Sequence, residues 1–274
     1  MKPFPVPFLA LLALTACQES PEARSSPALA VALTAHATQR AVFETVGADT
    51  LSDSSRITRI LPEPDGDGVI VQFADPARRV SSGLAIIDRN MAQPQLLWPD
   101  SVTAAWWTGP HMLAFATSTG DGIRLVVDVH AATLKIADTT STGVGRPPEE
   151  RVADQSVTER AAGYIDSLYS QPAGMAQASA LKYTVTRVVP SPDGAVAAFH
   201  SAARDPSGAL TNPSWFILDR TSSAVALLDR ITGAEAELRA SAGEWSGNKS
   251  FLYAKGRSIW EGEIQRTSST PAVP

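Results

Sequence analysis

The side chains from which this 274-residue chain could build chemistry are few: four histidines, one cysteine, six tryptophans and a set of acidic residues at recurring places. His36, His111, His130 and His200 lie far apart, and none forms a short-spaced pair with another histidine or with the cysteine. That spacing predicts scattered surface or strand-edge histidines and no metal site. Asp65-Gly66-Asp67-Gly68 has the outline of a calcium loop but lacks the third acidic ligand and the closing Glu, so a tight turn accounts for it better. No Gly-x-Ser-x-Gly elbow is present, and Gly143-Val144-Gly145-Arg146 lacks the Gly-Lys-Ser/Thr ending of a phosphate loop. Asp88, Asp128 and Asp219 each close an apolar run. Repetition at equivalent places points to loop hydrogen bonds rather than an acid–base pair. No catalytic residue and no cofactor follow from these residues.

The tryptophans Trp98, Trp106, Trp107, Trp215, Trp245 and Trp260 read mostly as packing residues. Trp106 and Trp107 are adjacent, so on a strand they face opposite sides and one of them is free for contact. Trp107, with Tyr164 and Tyr169 of a nearby helical segment, forms the candidate partner-binding patch.

Composition bounds what can surround these residues. Hydrophobic residues at 44% exclude a wholly disordered chain, and a net charge of −5 supplies no global basic field for nucleic acid. The single cysteine excludes an internal disulfide framework and a thiolate metal cluster. From Val42 onward the chain consists of short β-rich runs between Gly, Pro, Asp and Ser, the pattern of an all-β protein. Four units resemble one another. Each is a turn followed by an apolar strand bearing an aromatic (Phe73, Phe115, Phe199, Phe251), a loop, and a second strand ending in an acid. Phe73 and Phe115 are 42 apart, and Phe115 and Phe199 are 84 apart. A period near 42 with about four strands per unit predicts a small β-propeller-like domain of four or five blades over residues 41–265, followed by a polar tail at 266–274. The last unit stops after its third strand, and Ala41–Val46 stands alone at the front, so pairing the two would close the ring and leave no bare edge. Between the halves, Val157, Ala161, Tyr164, Ile165 and Leu168 fall on one helical face. They predict a helical insertion over about 147–175, opened by Pro147-Pro148-Glu149-Glu150.

The beginning of the chain reads differently. Lys2 precedes the apolar run Phe8–Leu14, which is too short to span a bilayer and ends in Leu14-Thr15-Ala16-Cys17. This resembles the bacterial lipoprotein signal, whose lipobox is Leu-x-Ala/Gly-Cys. The resemblance implies cleavage between Ala16 and Cys17, a diacylglycerol on the Cys17 sulfur and a fatty acyl (palmitate) chain on the new amine. A thiolate is the nucleophile that such lipid transfer needs. It further implies anchoring to the outer membrane facing the periplasm, or to the cell surface, since Gln18 rather than Asp follows the cysteine. Residues 17–40, rich in Ala, Ser, Pro and Thr, then read as a flexible tether.

Ser191-Pro192-Asp193-Gly194-Ala195-Val196-Ala197-Ala198-Phe199, with the looser Trp107-Thr108-Gly109 and Trp245-Ser246-Gly247, is similar to the propeller repeats of the periplasmic Tol-system protein and of prolyl-oligopeptidase-like enzymes. That similarity implies the fold and little about function. The function expected is that of an envelope lipoprotein whose propeller-like domain binds a protein, peptide or glycan, or scaffolds an envelope complex. The rival expectation is a small-ligand sensor or an enzyme using the propeller channel.

Overall fold

The apolar runs carrying Phe73, Phe115, Phe199 and Phe251 are the second strands of four antiparallel sheets. The computed structural model describes residues 30–269, except 44, 47–48, 54, 65, 79, 89–93, 100–101, 118–122, 127, 132–134, 140–148, 150, 170–181, 205–209 and 232–241. The signal segment, Cys17 and the first part of the tether lie outside the described residues.

After β1 (Ala30–Val42) and a short hairpin of β2 (Thr45–Val46) and β3 (Asp49–Thr50), the first sheet is formed by β4 (Arg56–Pro62), β5 (Val69–Asp75), β6 (Val80–Ile87) and β7 (Gln95–Trp98). The second comprises β8 (Val102–Gly109), β9 (Met112–Thr117), β10 (Ile123–Val126) and β11 (Ile136–Thr139). The helix α1 (Gln155–Tyr169) precedes the third, made of β12 (Lys182–Pro190), β13 (Val196–Arg204), β14 (Leu210–Asp219) and β15 (Val225–Arg230). The fourth has β16 (Gly243–Trp245), β17 (Ser250–Lys255) and β18 (Ser258–Ser269), and takes β1 as its outer strand. Each sheet thus runs first to fourth strand in simple meander order, and the molecule is a small all-β, propeller-like domain with one helical insertion.

The second strands are largely apolar because both of their faces are covered. On β13, Val196 and Ala198 pack with Phe251 and Tyr253 of the fourth sheet, while Ala197 and Phe199 pack with Val157, Ala161 and Ile165 of α1. Period-2 alternation therefore delivers one face to a sheet and the other to the helix. Burying Val157 and Ile165 this way contributes about 1.5–3 kcal/mol each. The remaining junctions repeat the scheme. Ile57, Val71 and Phe73 meet Leu252 and Ile259 between sheets one and four, and Ile70 and Ile86 meet Leu113 and Phe115 between sheets one and two.

Three expectations need correction. Residues 30–40, expected in the tether, form most of β1, whose register with β18 runs from Ala30↔Ser269 to Val42↔Ser258. Leu33, Ala35 and Ala37 turn inward while Ala32, Thr34, His36 and Thr38 are exposed. Small side chains on both faces leave the alternation too weak to read as hydropathy. The polar tail likewise begins later than 266, because Arg266–Ser269 belong to β18. Finally, α1 begins at Gln155, with Asp154 rather than the prolines at its start: Asp154 Oδ1 accepts the Val157 N–H at 3.0 Å, an N-cap bond. Pro147 and Pro148 lie outside the described residues.

Candidate functional site

The first strands of the four sheets, β4, β8, β12 and β16, converge on one cavity of about 570 Å³. Thr58–Pro62 with Pro64, Trp106 and Trp107, Arg187, and Gly243–Trp245 supply its wall strand by strand, joined by Glu149 and Arg151. Two bonds of the same kind pin neighbouring first strands together. The Trp107 indole N–H donates to the Leu61 carbonyl at 3.3 Å, and the Trp245 indole N–H donates to the Val189 carbonyl at 2.8 Å. These are the two tryptophans of the repeated Trp-Thr/Ser-Gly turns, so the repeat read from the sequence has a structural meaning. Three arginines (Arg59, Arg151, Arg187) and two glutamates (Glu149, Glu244) line the cavity. It therefore combines indole faces with guanidinium and carboxylate groups.

The candidate patch residues separate in space. Trp107 is half-buried and in the cavity wall, while its neighbour Trp106 is buried, as opposite faces of a strand require. Tyr164 packs edge-on against Phe199 and Phe216, at 6.3 and 5.8 Å between ring centroids. Tyr169 stacks on Tyr183 at 3.6 Å. Both tyrosines sit with α1 on the third sheet, not beside Trp107 of the second. Cys17 and Ala16 lie outside the described residues.

A second group assembles at the edge where β4 ends. Glu63, between the cavity-lining residues Pro62 and Pro64, is buried with 4% of its surface exposed. Its Oε1 lies 2.5 Å from His111 Nδ1 and accepts the His111 backbone N–H at 3.2 Å; its Oε2 lies 2.9 Å from His130 Nε2 and accepts the Gly68 N–H at 3.1 Å. The other ring nitrogen of His130, Nδ1, is 3.1 Å from Asp88 Oδ2. Burial alone would raise the Glu63 carboxyl, but the bonds from His130, His111 and Gly68 together with the His130 charge outweigh it and hold the pKa below the ordinary value. A Cβ on Gly66 or Gly68 would come within 2.2 or 2.6 Å of Glu63 Oε2, so glycine at both is what lets the turn fold over the carboxylate.

His111 and His130 are thus not scattered. They face one carboxylate, and the three ligand atoms lie within 4.8 Å of one another. His36 is exposed on β1 and His200 is buried on β13. Sequence reasoning missed the group because it looked for short spacings. The usable signal was the repeat itself: the turn after a first strand (Glu63, His111) and the turn after a third strand (Asp88, His130) fall at the same edge of stacked sheets. The strand-end aspartates hold loops. Asp128 Oδ1 accepts the His130 N–H, and Asp219 Oδ1 accepts those of Thr221 and Ser222.

No family model matches the sequence, and no curated protein matches it. Among solved structures, the chain is similar to the GH74 enzyme of Niastella koreensis, over 78% of this chain and 30% of that one, with 8% identity and a TM-score of 0.22. It thus spans under a third of that enzyme's length. It is also similar to the β-propeller domain of Myceliophteria thermophila Cps50 (Swd1), over 85% of this chain and 90% of that one, with 11% identity and a TM-score of 0.21. Likeness at this level carries no argument about activity.

Proposed function

We propose that the chain is a lipid-anchored envelope protein whose propeller-like domain holds a partner in the cavity between the four first strands, as a binding module rather than an enzyme. The observation supporting this reading is the lining, in which Trp107 and three arginines border a cavity of about 570 Å³, a size typical of ligand pockets. Guanidinium groups pair with carboxylates, and indole faces take up apolar or sugar surface. The partner is an acidic stretch of peptide or an acidic glycan end. The membrane anchor is Cys17.

Capture of partners from detergent-solubilised membranes tests the reading. The wild-type chain is expected to retain a partner that Arg59→Ala and Trp107→Phe lose and Tyr169→Ala keeps. Loss in Tyr169→Ala alone moves the contact to α1 and sinks the cavity reading. Replacing Cys17 by Ser is expected to shift the protein from the membrane to the soluble fraction, and a membrane-bound, unacylated Cys17→Ser protein refutes the anchor. The convergence of Glu63, His111 and His130 favours a second reading, in which the domain senses a small ligand or carries out a reaction at the channel edge.

A further inference from the structure

The geometry points to a divalent transition-metal site, best suited to zinc, formed by Glu63, His111 and His130 with Asp88 behind His130. It does not depend on what occupies the central cavity.

The argument begins with lone pairs. Asp88 Oδ2 lies 3.1 Å from His130 Nδ1, an ion-pair contact that favours the ring proton on Nδ1 and so leaves the lone pair of the neutral ring on Nε2. That Nε2 faces a carboxylate oxygen of Glu63 at 2.9 Å, and His111 Nδ1 faces the other at 2.5 Å. Acceptors do not rest against acceptors. Each contact therefore holds a positive centre, either a proton on each imidazole or one cation shared by all three groups. Two imidazoles and a carboxylate are the donor set that zinc takes in three-ligand sites. A histidine ligand whose other ring nitrogen is held by a carboxylate is the usual outer arrangement around such a metal. The charges balance as well, since Glu63 and Asp88 together match a divalent ion.

Two further features support a built site. His111 is the second residue of the two-residue turn between Gly109 and Met112, after Pro110, and it has φ 58°. That left-handed position normally falls to glycine, and a histidine there points to a role for its side chain. The loop carrying His130 is tied in place by Asp128 at its own N–H and by the Val129 N–H, which donates to the His111 carbonyl at 3.0 Å. Around a metal with ligands at 2.0–2.2 Å the ligand atoms stand roughly 3.5 Å apart, so the contacts at 2.5 and 2.9 Å widen by about 1 Å or less. The His111 side chain is 55% exposed, so a fourth position is open to water or to a small ligand. Metal entry displaces any ring protons to solvent.

The test is isothermal titration of the untagged full chain with zinc chloride, together with the absorption spectrum of the cobalt-loaded protein. One zinc per chain and a tetrahedral cobalt spectrum are expected. His111→Ala, in a partly exposed turn where folding is least at risk, is expected to lose both. Asp88→Asn is expected to weaken zinc by 10–100-fold, the usual effect of losing an outer carboxylate. Absence of zinc binding by the wild-type chain overturns the proposal, as does unchanged binding in His111→Ala confirmed as folded by circular dichroism. Failure here leaves cavity capture untouched, so the two readings fail separately.

Discussion

At the edge shared by the third and fourth sheets, Asp219 is fully buried; its Oδ1 accepts the Thr221 and Ser222 N–H groups and the Ser222 hydroxyl, and its Oδ2 accepts Arg266 Nε at 2.6 Å. At the corresponding edge of the first and second sheets, Glu63 is almost as deeply buried but faces two imidazoles. Burial would raise both carboxyls, and in both the surrounding donors win and lower them. The difference lies in the donors. Backbone N–H groups and a guanidinium cannot give up their protons, so the Asp219 group is saturated and closed. Imidazoles can exchange a proton for a metal, so the Glu63 group is open to exchange. One edge of the stacked sheets thus carries a closed carboxylate after a third strand and an exchangeable one after a first strand.

Removing the fastener is expected to have the largest effect. Asp219→Ala strands Arg266 and several donors around a buried hole and is expected to cost about 3–5 kcal/mol in urea unfolding. Arg266→Ala removes a partner that is 39% exposed and leaves the N–H bonds in place, so about 1 kcal/mol is expected. Equal costs would mean that the guanidinium, not the saturated set of donors, holds this edge, and the comparison would break.

His200 is a buried histidine, in contrast to the exposed His111. Burial first, and then the charge of Arg187, push its pKa down to about 4. It lies 2.5 Å from the Thr186 hydroxyl and edge-on to Trp215. The unfolded chain takes up a proton near 6.5 that the native one refuses until about 4. Stability from this residue is therefore complete above 6.5 and declines as pH falls through that window, by up to about 3 kcal/mol. His200→Gln should flatten the urea midpoint between pH 4.5 and 6.5; an unchanged slope there would mean that His200 titrates alike in the folded and unfolded states.

Zinc sharpens the contrast from the other side. At a free concentration a hundred times Kd, a ligand that binds only the native chain adds about 2.7 kcal/mol, or roughly 5–10 °C in Tm for a domain of this size. The gain is expected in the wild type and in Arg266→Ala, and is expected to vanish in His111→Ala.

These contrasts show what the sequence could and could not carry. Phe73, Phe115, Phe199 and Phe251 marked the second strands because those strands are largely buried on both faces and mostly apolar. The first strands were harder to see. Arg56-Ile57-Thr58-Arg59 alternates core with a polar cavity wall, and its polar half carries no strand signature. β1 was missed over residues 30–40 because alanines occupy both of its faces, though the expected pairing of Ala41 and Val42 with the last sheet is present. Glu63 meets residues 48 and 67 positions away, a distance no local motif spans. Asp128 and Asp219 were legible as loop-holding residues because the loop N–H groups they accept are two or three positions away, whereas Asp88 meets His130 of the next sheet.

The smallest expected effect tests whether the two edges unfold together at all. Gly163 lies inside α1, and a Cβ there would meet nothing within 4 Å. Gly163→Ala should therefore stabilise the helix by about 0.5–1 kcal/mol through backbone entropy. Among the described residues α1 packs on the third sheet's far face, through Val157, Ala161 and Ile165, whereas the proposed zinc ligands sit at the first and second sheets. If the four sheets unfold as one unit, the increments from Gly163→Ala and from zinc are expected to add in a single calorimetric transition, since distant independent sites are additive. Two transitions, one shifted by the mutation and the other by zinc, would show that the first and second sheets melt apart from the third and fourth. In that case the core joining Ile57, Val71 and Phe73 to Leu252 and Ile259 is the weakest junction of the fold. The shared edge would then belong to two cooperative units, each with its own buried carboxylate.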